Sequence, residues 1–89
     1  MTQDRSYTSN EQYIFQMCGV ESWTELWEQL SEIEFMQALI GEGLMSEVGI
    51  RNRMIREVVS KSENKSEAIR SLSRDLRLSK HTVRDYAYL

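Results

Sequence analysis

Between Trp23 and Ile40 mostly apolar side chains recur at steps of three and four: Trp23, Leu26, Trp27, Leu30, Ile33, Met36 or Gln37, and Ile40. A helix turns about 100° per residue, so this spacing lays one apolar stripe along a helix that runs to about residue 40. Phe35 and Leu39 widen the stripe, so more than one face seeks cover. Ser22 with Glu25 has the form of a capping box at its start, and Gly41 and Gly43 end it. Upstream, Ser9 with Gln12 has the same capping form, and Gly19 stops a short helix over about 10–18. Residues 1–8 carry no periodicity and predict a flexible tail.

A third helix is predicted from about Ser46 to Lys61, with Val48, Ile55, Val58 and Val59 as its inner stripe and Ile50 and Met54 as a second one. Ser62–Asn64 breaks the pattern, and Asn64 with Glu67 caps a fourth helix. No alternating β-branched run is bounded by turn residues. The fold class is therefore all-α, with about five helices in one compact domain. Its parts are the tail 1–8, a helical region 9–45 and a region 46–89 that ends in a predicted helix-turn-helix.

Charge separates the last two parts. Residues 1–46 hold one basic residue, Arg5, against eight acids, whereas residues 47–89 hold ten basic residues against six acids. The net charge of −3 conceals an acidic half and a basic half, the latter suited to a polyanion. In the acidic half, Trp23, Leu26, Trp27, Leu30 and Ile33 read either as a monomer's core or as a dimerisation face. Two Trp with Phe, Met and Leu are much for an 89-residue body to hide alone, which favours a homodimer.

Residues 66–88 carry the strongest pattern. A helix-turn-helix needs a short helix with one buried face, a tight turn, and a second helix that packs steeply on the first and leaves its outer face free. Ile69, Leu72 and Leu76 give the first inner face, and Ser73 is small where the helices cross. Leu78 plugs the turn, Ser79 caps the second helix, and Val83 and Tyr86 turn inward. Lys80, His81, Arg84, Asp85 and Tyr88 remain outward, with Lys80, Arg84 and Tyr88 on one ridge at i, i+4, i+8. Arg84 suits a bidentate contact to a guanine edge, with Lys80 and His81 at the leading end. Ser79, Lys65, Arg70 and Arg74 are placed for phosphates, and Arg51, Arg53 and Arg56 of the preceding helix add to them. The turn commonly holds glycine where this chain has Arg77, and a left-handed arginine costs about 1 kcal/mol or more. The plainer alternative is a helical pair whose arginines are simply solvated.

Little else suggests chemistry. One Cys (Cys18) and one His (His81) exclude a disulfide framework and the usual zinc sites. Cys18 reads as a small core residue, and His81 as a DNA contact or a partner of Asp85. No phosphate loop or nucleophile–base pair stands out, so no enzyme activity, metal or cofactor is expected. The opening residues lack a basic start followed by an apolar run, and no apolar stretch is long enough to span a bilayer. A cytoplasmic protein without a membrane partner is expected.

The order of these parts resembles the Trp repressor superfamily over Ser22–Tyr86. The carrying residues are the Ser22-Trp23 helix start, the Gly49-x-Arg51-x-x-Met54-Ile55-x-Glu57 run, and the stretch from Leu72-x-x-x-Leu76 to Thr82-Val83. The last stretch is shared with other helix-turn-helix families, such as phage middle-gene activators of the Mor type and LuxR-type domains. The resemblance implies N-terminal helices that intertwine into a dimer and a helix-turn-helix that binds DNA. Arg51 matches one arginine that the family uses for its tryptophan corepressor. The second arginine and its following glycine fall on Asp85 and Tyr86, so the architecture and the DNA role carry over and the ligand does not.

The expectation is a homodimeric, sequence-specific regulator of transcription that binds double-stranded DNA at an inverted repeat. The alternative is an adaptor or inhibitor of phage or plasmid type, whose acidic, Trp-bearing half docks on a protein partner.

Overall fold

The structure is a computed structural model that describes residues 7–88. The first six residues of the expected tail lie outside the described residues. The last two, Tyr7 and Thr8, are not tail. Thr8 is the N-cap of α1 (Ser9–Cys18): its hydroxyl accepts from the Glu11 N–H at 3.2 Å, and the Glu11 carboxylate accepts from the Thr8 N–H at 2.9 Å. The box thus sits one residue earlier than Ser9–Gln12, and it uses a carboxylate where that pairing would use an amide. Tyr7 packs edge-on against Phe15, with ring centroids 4.8 Å apart. Gly19 ends α1 in the left-handed region at φ +73°, as a glycine C-cap does.

The stretch expected as one long helix is three pieces: α2 (Trp23–Glu28), a 3-10 turn (Leu30–Glu32) and α3 (Glu34–Gly41). Ser22 caps α2 by accepting from the Glu25 N–H. The physical reason for the break is that apolar residues lie on more than one side of this stretch. A straight helix would bury one side only. Bending at Gln29–Ile33 brings Leu26, Leu30 and Met36 into the same cluster, and Met36 is fully buried. The Gln37 side-chain amide donates to the Leu30 carbonyl at 2.8 Å, so a carbonyl at the bend keeps a partner.

Next come α4 (Glu47–Lys61), α5 (Lys65–Leu76) and α6 (Lys80–Ala87), with N-caps Ser46, Asn64 and Ser79. Among the described residues every regular element is helical. Two apolar clusters form the interior. One gathers Phe15, Val20, Trp23, Leu26, Leu30, Met36 and Ile50; the other gathers Met54, Ile55, Val59, Ile69, Val83 and Ala87. Helix α4 supplies both, so it is the spine between the acidic and basic halves, and Trp27 touches both clusters. Val48, expected on the inner stripe of α4, is half-exposed instead, because it lies about 200° around the helix from fully buried Ile50. Ile50 and Met54 take its place in the interior.

The proposed dimer face needs a similar revision. Trp23, Leu26 and Leu30 are buried within the single chain, and Trp27 and Ile33 pack half-buried against the same cluster. Trp23, Leu26 and Leu30 are thus covered without a second copy, whereas Trp27 and Ile33 keep part of their surface exposed. No helix among the described residues is long and apolar enough to cross a membrane.

Candidate functional site

Helices α5 and α6 pack on each other and on α4, with a short connection at Arg77–Ser79. Asn64 starts α5 by accepting from the Glu67 N–H at 3.0 Å. At its end Arg77 adopts φ 59°, ψ 43°, the left-handed conformation that the sequence made costly, and its N–H reaches the Ser73 carbonyl. The Leu78 N–H donates to that same carbonyl at 3.0 Å, and the Ser73 hydroxyl donates back to the Leu78 carbonyl. Ser73 therefore does more than leave room: it ties the turn on both sides. Leu78 packs half-buried on the second cluster beside Leu72, Leu76 and Tyr86, as its place in the turn predicted.

Helix α6 turns Val83 and Ala87 into the interior and leaves Lys80, His81, Arg84, Asp85 and Tyr88 exposed. Among the described residues Lys80 and Arg84 make no ion pair, whereas His81 lies 3.4 Å from the Asp85 carboxylate. The outward ridge thus carries two free cations, with its one acid beside the imidazole. Tyr88 sits just past the end of α6 and is 59% exposed, a flat ring in line with the two cations.

Other expected contacts fare differently. Ser79 spends its hydroxyl on the cap, accepting from the Thr82 N–H at 3.0 Å and donating to the Thr82 hydroxyl at 2.8 Å. Lys65 is taken up too: its ammonium donates to the carbonyls of Val59, Ser60 and Ser62 at 3.2–3.4 Å and so caps the end of α4, where the helix dipole favours a cation. Arg70 pairs with Glu67 at 2.8 Å on an exposed surface, a contact worth little. Arg74 lies 3.9 Å from Asp75 and is 73% exposed.

The three arginines of α4 do not act together. At about 100° per residue, Arg51, Ile55 and Val58 share the side that meets α6, and the Arg51 guanidinium lies 5.7 Å from the Tyr86 ring centroid. Arg53, Arg56 and Ser60 lie on the opposite side, away from the α6 ridge. There Arg53 stacks 5.1 Å from the Trp23 ring centroid.

That side also holds Glu57, which the sequence placed in the family-like run without giving it a role. Glu57 is buried and accepts four hydrogen bonds: from the Thr24 N–H at 2.9 Å, the Thr24 hydroxyl at 2.6 Å, the Trp23 N–H at 3.3 Å, and the Tyr7 hydroxyl. Trp23 and Thr24 open α2, so Glu57 caps a neighbouring helix, and its charge faces that helix's positive end. Burial pushes its carboxyl up, but the bonds from Thr24 and Tyr7, with Lys61 nearby, outweigh burial and hold it below the usual glutamate range. The available signal was its place at i, i+4, i+7 with Ile50 and Met54, an acid on an apolar stripe. Beside it lies a pocket of about 150 Å³ lined by Tyr7, Glu11, Trp23, Arg53, Arg56, Ser60 and Lys61 as well as Glu57 itself. A second pocket, about 280 Å³, lies in the acidic half between Trp27, Leu30 and Gln37, with Glu28 and Glu47 at its rim.

Cys18 is half-buried, and burial pushes its thiol up, away from the reactive thiolate. No group of three or more His, Cys, Asp or Glu among the described residues is arranged to hold a metal. No protein-family model, curated protein or solved structure matches the chain.

Proposed function

We propose that α5 and α6 form a helix-turn-helix and that the protein is a sequence-specific DNA-binding regulator of transcription. The observation that carries this reading is the outward ridge of α6. Lys80 and Arg84 stand one turn apart, exposed and free of carboxylate partners, on a helix held by Val83 and Ala87. In this reading α6 enters the major groove, Arg84 reads a guanine edge, and Lys80 and His81 lie at the leading end. Arg70 and Arg74 of α5 meet phosphates, contacts that position the protein without specifying sequence. Lys65 and Ser79 serve folding first. The resemblance to the Trp repressor superfamily agrees with this assignment and extends it to two copies on an inverted repeat. Of the Trp23–Ile33 stripe a second copy could meet only the exposed parts of Trp27 and Ile33, with further apolar surface at Tyr13 and Met17 on α1 or Leu44 and Val48 around the start of α4.

The test compares two substitutions on specific and random duplexes. Arg84→Ala should abolish discrimination between them, whereas Arg70→Ala should weaken both alike. Equal binding of specific and scrambled duplex by the unmodified protein contradicts the sequence-reading part.

A second reading, docking of the acidic half on a basic protein, is favoured by the pocket beside half-buried Trp27. Among the described residues its rim carboxylates, Glu28 and Glu47, have no hydrogen-bond or ion-pair partner. Passage through a DNA column without retention at low salt would favour that reading.

A further inference from the structure

The 150 Å³ pocket on the far side of α4 has a chemistry that the DNA reading leaves unused. Three cationic heads surround it, Arg53, Arg56 and Lys61, and among the described residues none makes an ion pair. Its two carboxylates are spent on the fold. Glu57 accepts the four bonds given above, and Glu11 accepts from the Thr8 N–H at 2.9 Å and from the Trp23 indole N–H at 2.8 Å. Both carboxylates still carry charge, and Lys61 also acts on Glu57, so the lining sets three cations against two acids and keeps a small positive excess. Trp23 is 4% exposed with Arg53 stacked on its ring, so the flat surfaces left to a ligand are mainly those of Arg53 and Tyr7. Its volume is about that of cavities that accept a benzene-sized molecule.

We propose that this pocket binds a small organic oxyanion with a flat body, its charged head between Arg56 and Lys61 and its body against the Arg53 guanidinium and Tyr7. Arg53, stacked on the Trp23 ring, supplies the third cation, and a ligand on it would be felt at the Trp23 indole. The site is separate from the DNA-reading ridge, because Arg53, Arg56 and Ser60 lie across α4 from the side that meets α6. It touches the spine that joins both halves of the interior, so an occupant would bear on α2, α4 and the Tyr7 segment together. The proposal does not depend on DNA binding.

The full chain is titrated, without DNA, with phenyl phosphate, benzoate and inorganic phosphate, and the Trp23 indole N–H resonance is followed by NMR. Saturable shifts with either aryl oxyanion support the site, and the tighter of the two identifies the head group. Phenyl phosphate should bind about tenfold more tightly than inorganic phosphate, the factor expected from one added ring contact. The double substitution Arg56→Gln with Lys61→Gln changes two exposed side chains outside the core, and it should weaken binding by about tenfold or more. Shifts that sodium chloride reproduces at equal ionic strength overturn the proposal. So does binding that the double substitution leaves unchanged, or displacement of the aryl anion by duplex DNA.

Discussion

Replacing Glu57 by glutamine keeps its shape and removes its charge. Of the four donors that converge on the carboxylate, the Thr24 N–H and hydroxyl share one oxygen, while the Trp23 N–H and the Tyr7 hydroxyl share the other. An amide oxygen can keep the Thr24 pair. Its –NH2 then faces the Trp23 N–H, which loses its acceptor, and the Tyr7 hydroxyl, which must turn round to accept. A hydrogen bond to a charged group contributes roughly 1.5–3 kcal/mol and a neutral one about 1 kcal/mol, so weakening the retained bonds and orphaning one N–H sums to about 2–4 kcal/mol. A domain of this length has about 4–13 kcal/mol in total. The substitution should therefore lower Tm by about 10 °C or more, and lower the urea midpoint with an unchanged slope. Acid supplies a second arm. The folded carboxyl titrates below its ordinary value of 4.5. Its contribution is thus complete above that value and is lost as pH falls through the lower folded one. The gap between the two proteins, read by far-UV circular dichroism in urea, should be widest at neutral pH and narrow in acid. A difference under about 0.5 kcal/mol at neutral pH, which is the range of ordinary surface changes, refutes the reasoning. A gap that stays constant as pH falls refutes it too.

Three further substitutions test other contacts. Arg77→Gly removes a left-handed arginine and should raise stability by up to about 1 kcal/mol in chemical denaturation; a loss would mean that the arginine side chain contributes more than its backbone strain costs. Lys65→Met removes the ammonium from the end of α4. It should cost about 0.5–1 kcal/mol of stability and leave the salt slope of DNA binding unchanged, whereas a slope smaller by about one would return Lys65 to the phosphates. Ser73→Ala unties one side of the α5–α6 turn and should cost about 1 kcal/mol, seen in the same urea titration.

The basic half was legible because its signals are local. Ser46, Asn64 and Ser79 cap the helices that their spacing predicts, and Val83 lies inside as its step of three from Tyr86 implies. Even the strained position, Arg77, could be named from its place in the turn. The acidic half was less legible, because a helix bent at Gln29–Ile33 keeps apolar residues at the same steps as a straight one. Thr8 and Ser9 both begin a possible capping box. What decides between them is Glu11, whose second oxygen reaches the Trp23 indole across the fold. Lys65 and Glu57 show the same limit at the candidate site. Lys65 reads as a phosphate contact, and Glu57, between Arg56 and Val58, reads only as part of the family-like run. Their partners, the carbonyls that end α4 and the N–H groups that open α2, appear only when the helices are placed together. Whether a charged side chain on such a helix faces a phosphate or a neighbouring helix end is a tertiary matter, and spacing alone does not fix it.

Selection of bound sequences from a pool of random duplexes by the unmodified protein tests the central claim most directly. The account predicts an enriched motif that contains guanine, arranged as an inverted repeat with half-sites about one duplex turn apart, and retention that falls steeply with salt. A pool that emerges with no sequence enriched, or that never binds at low salt, contradicts it.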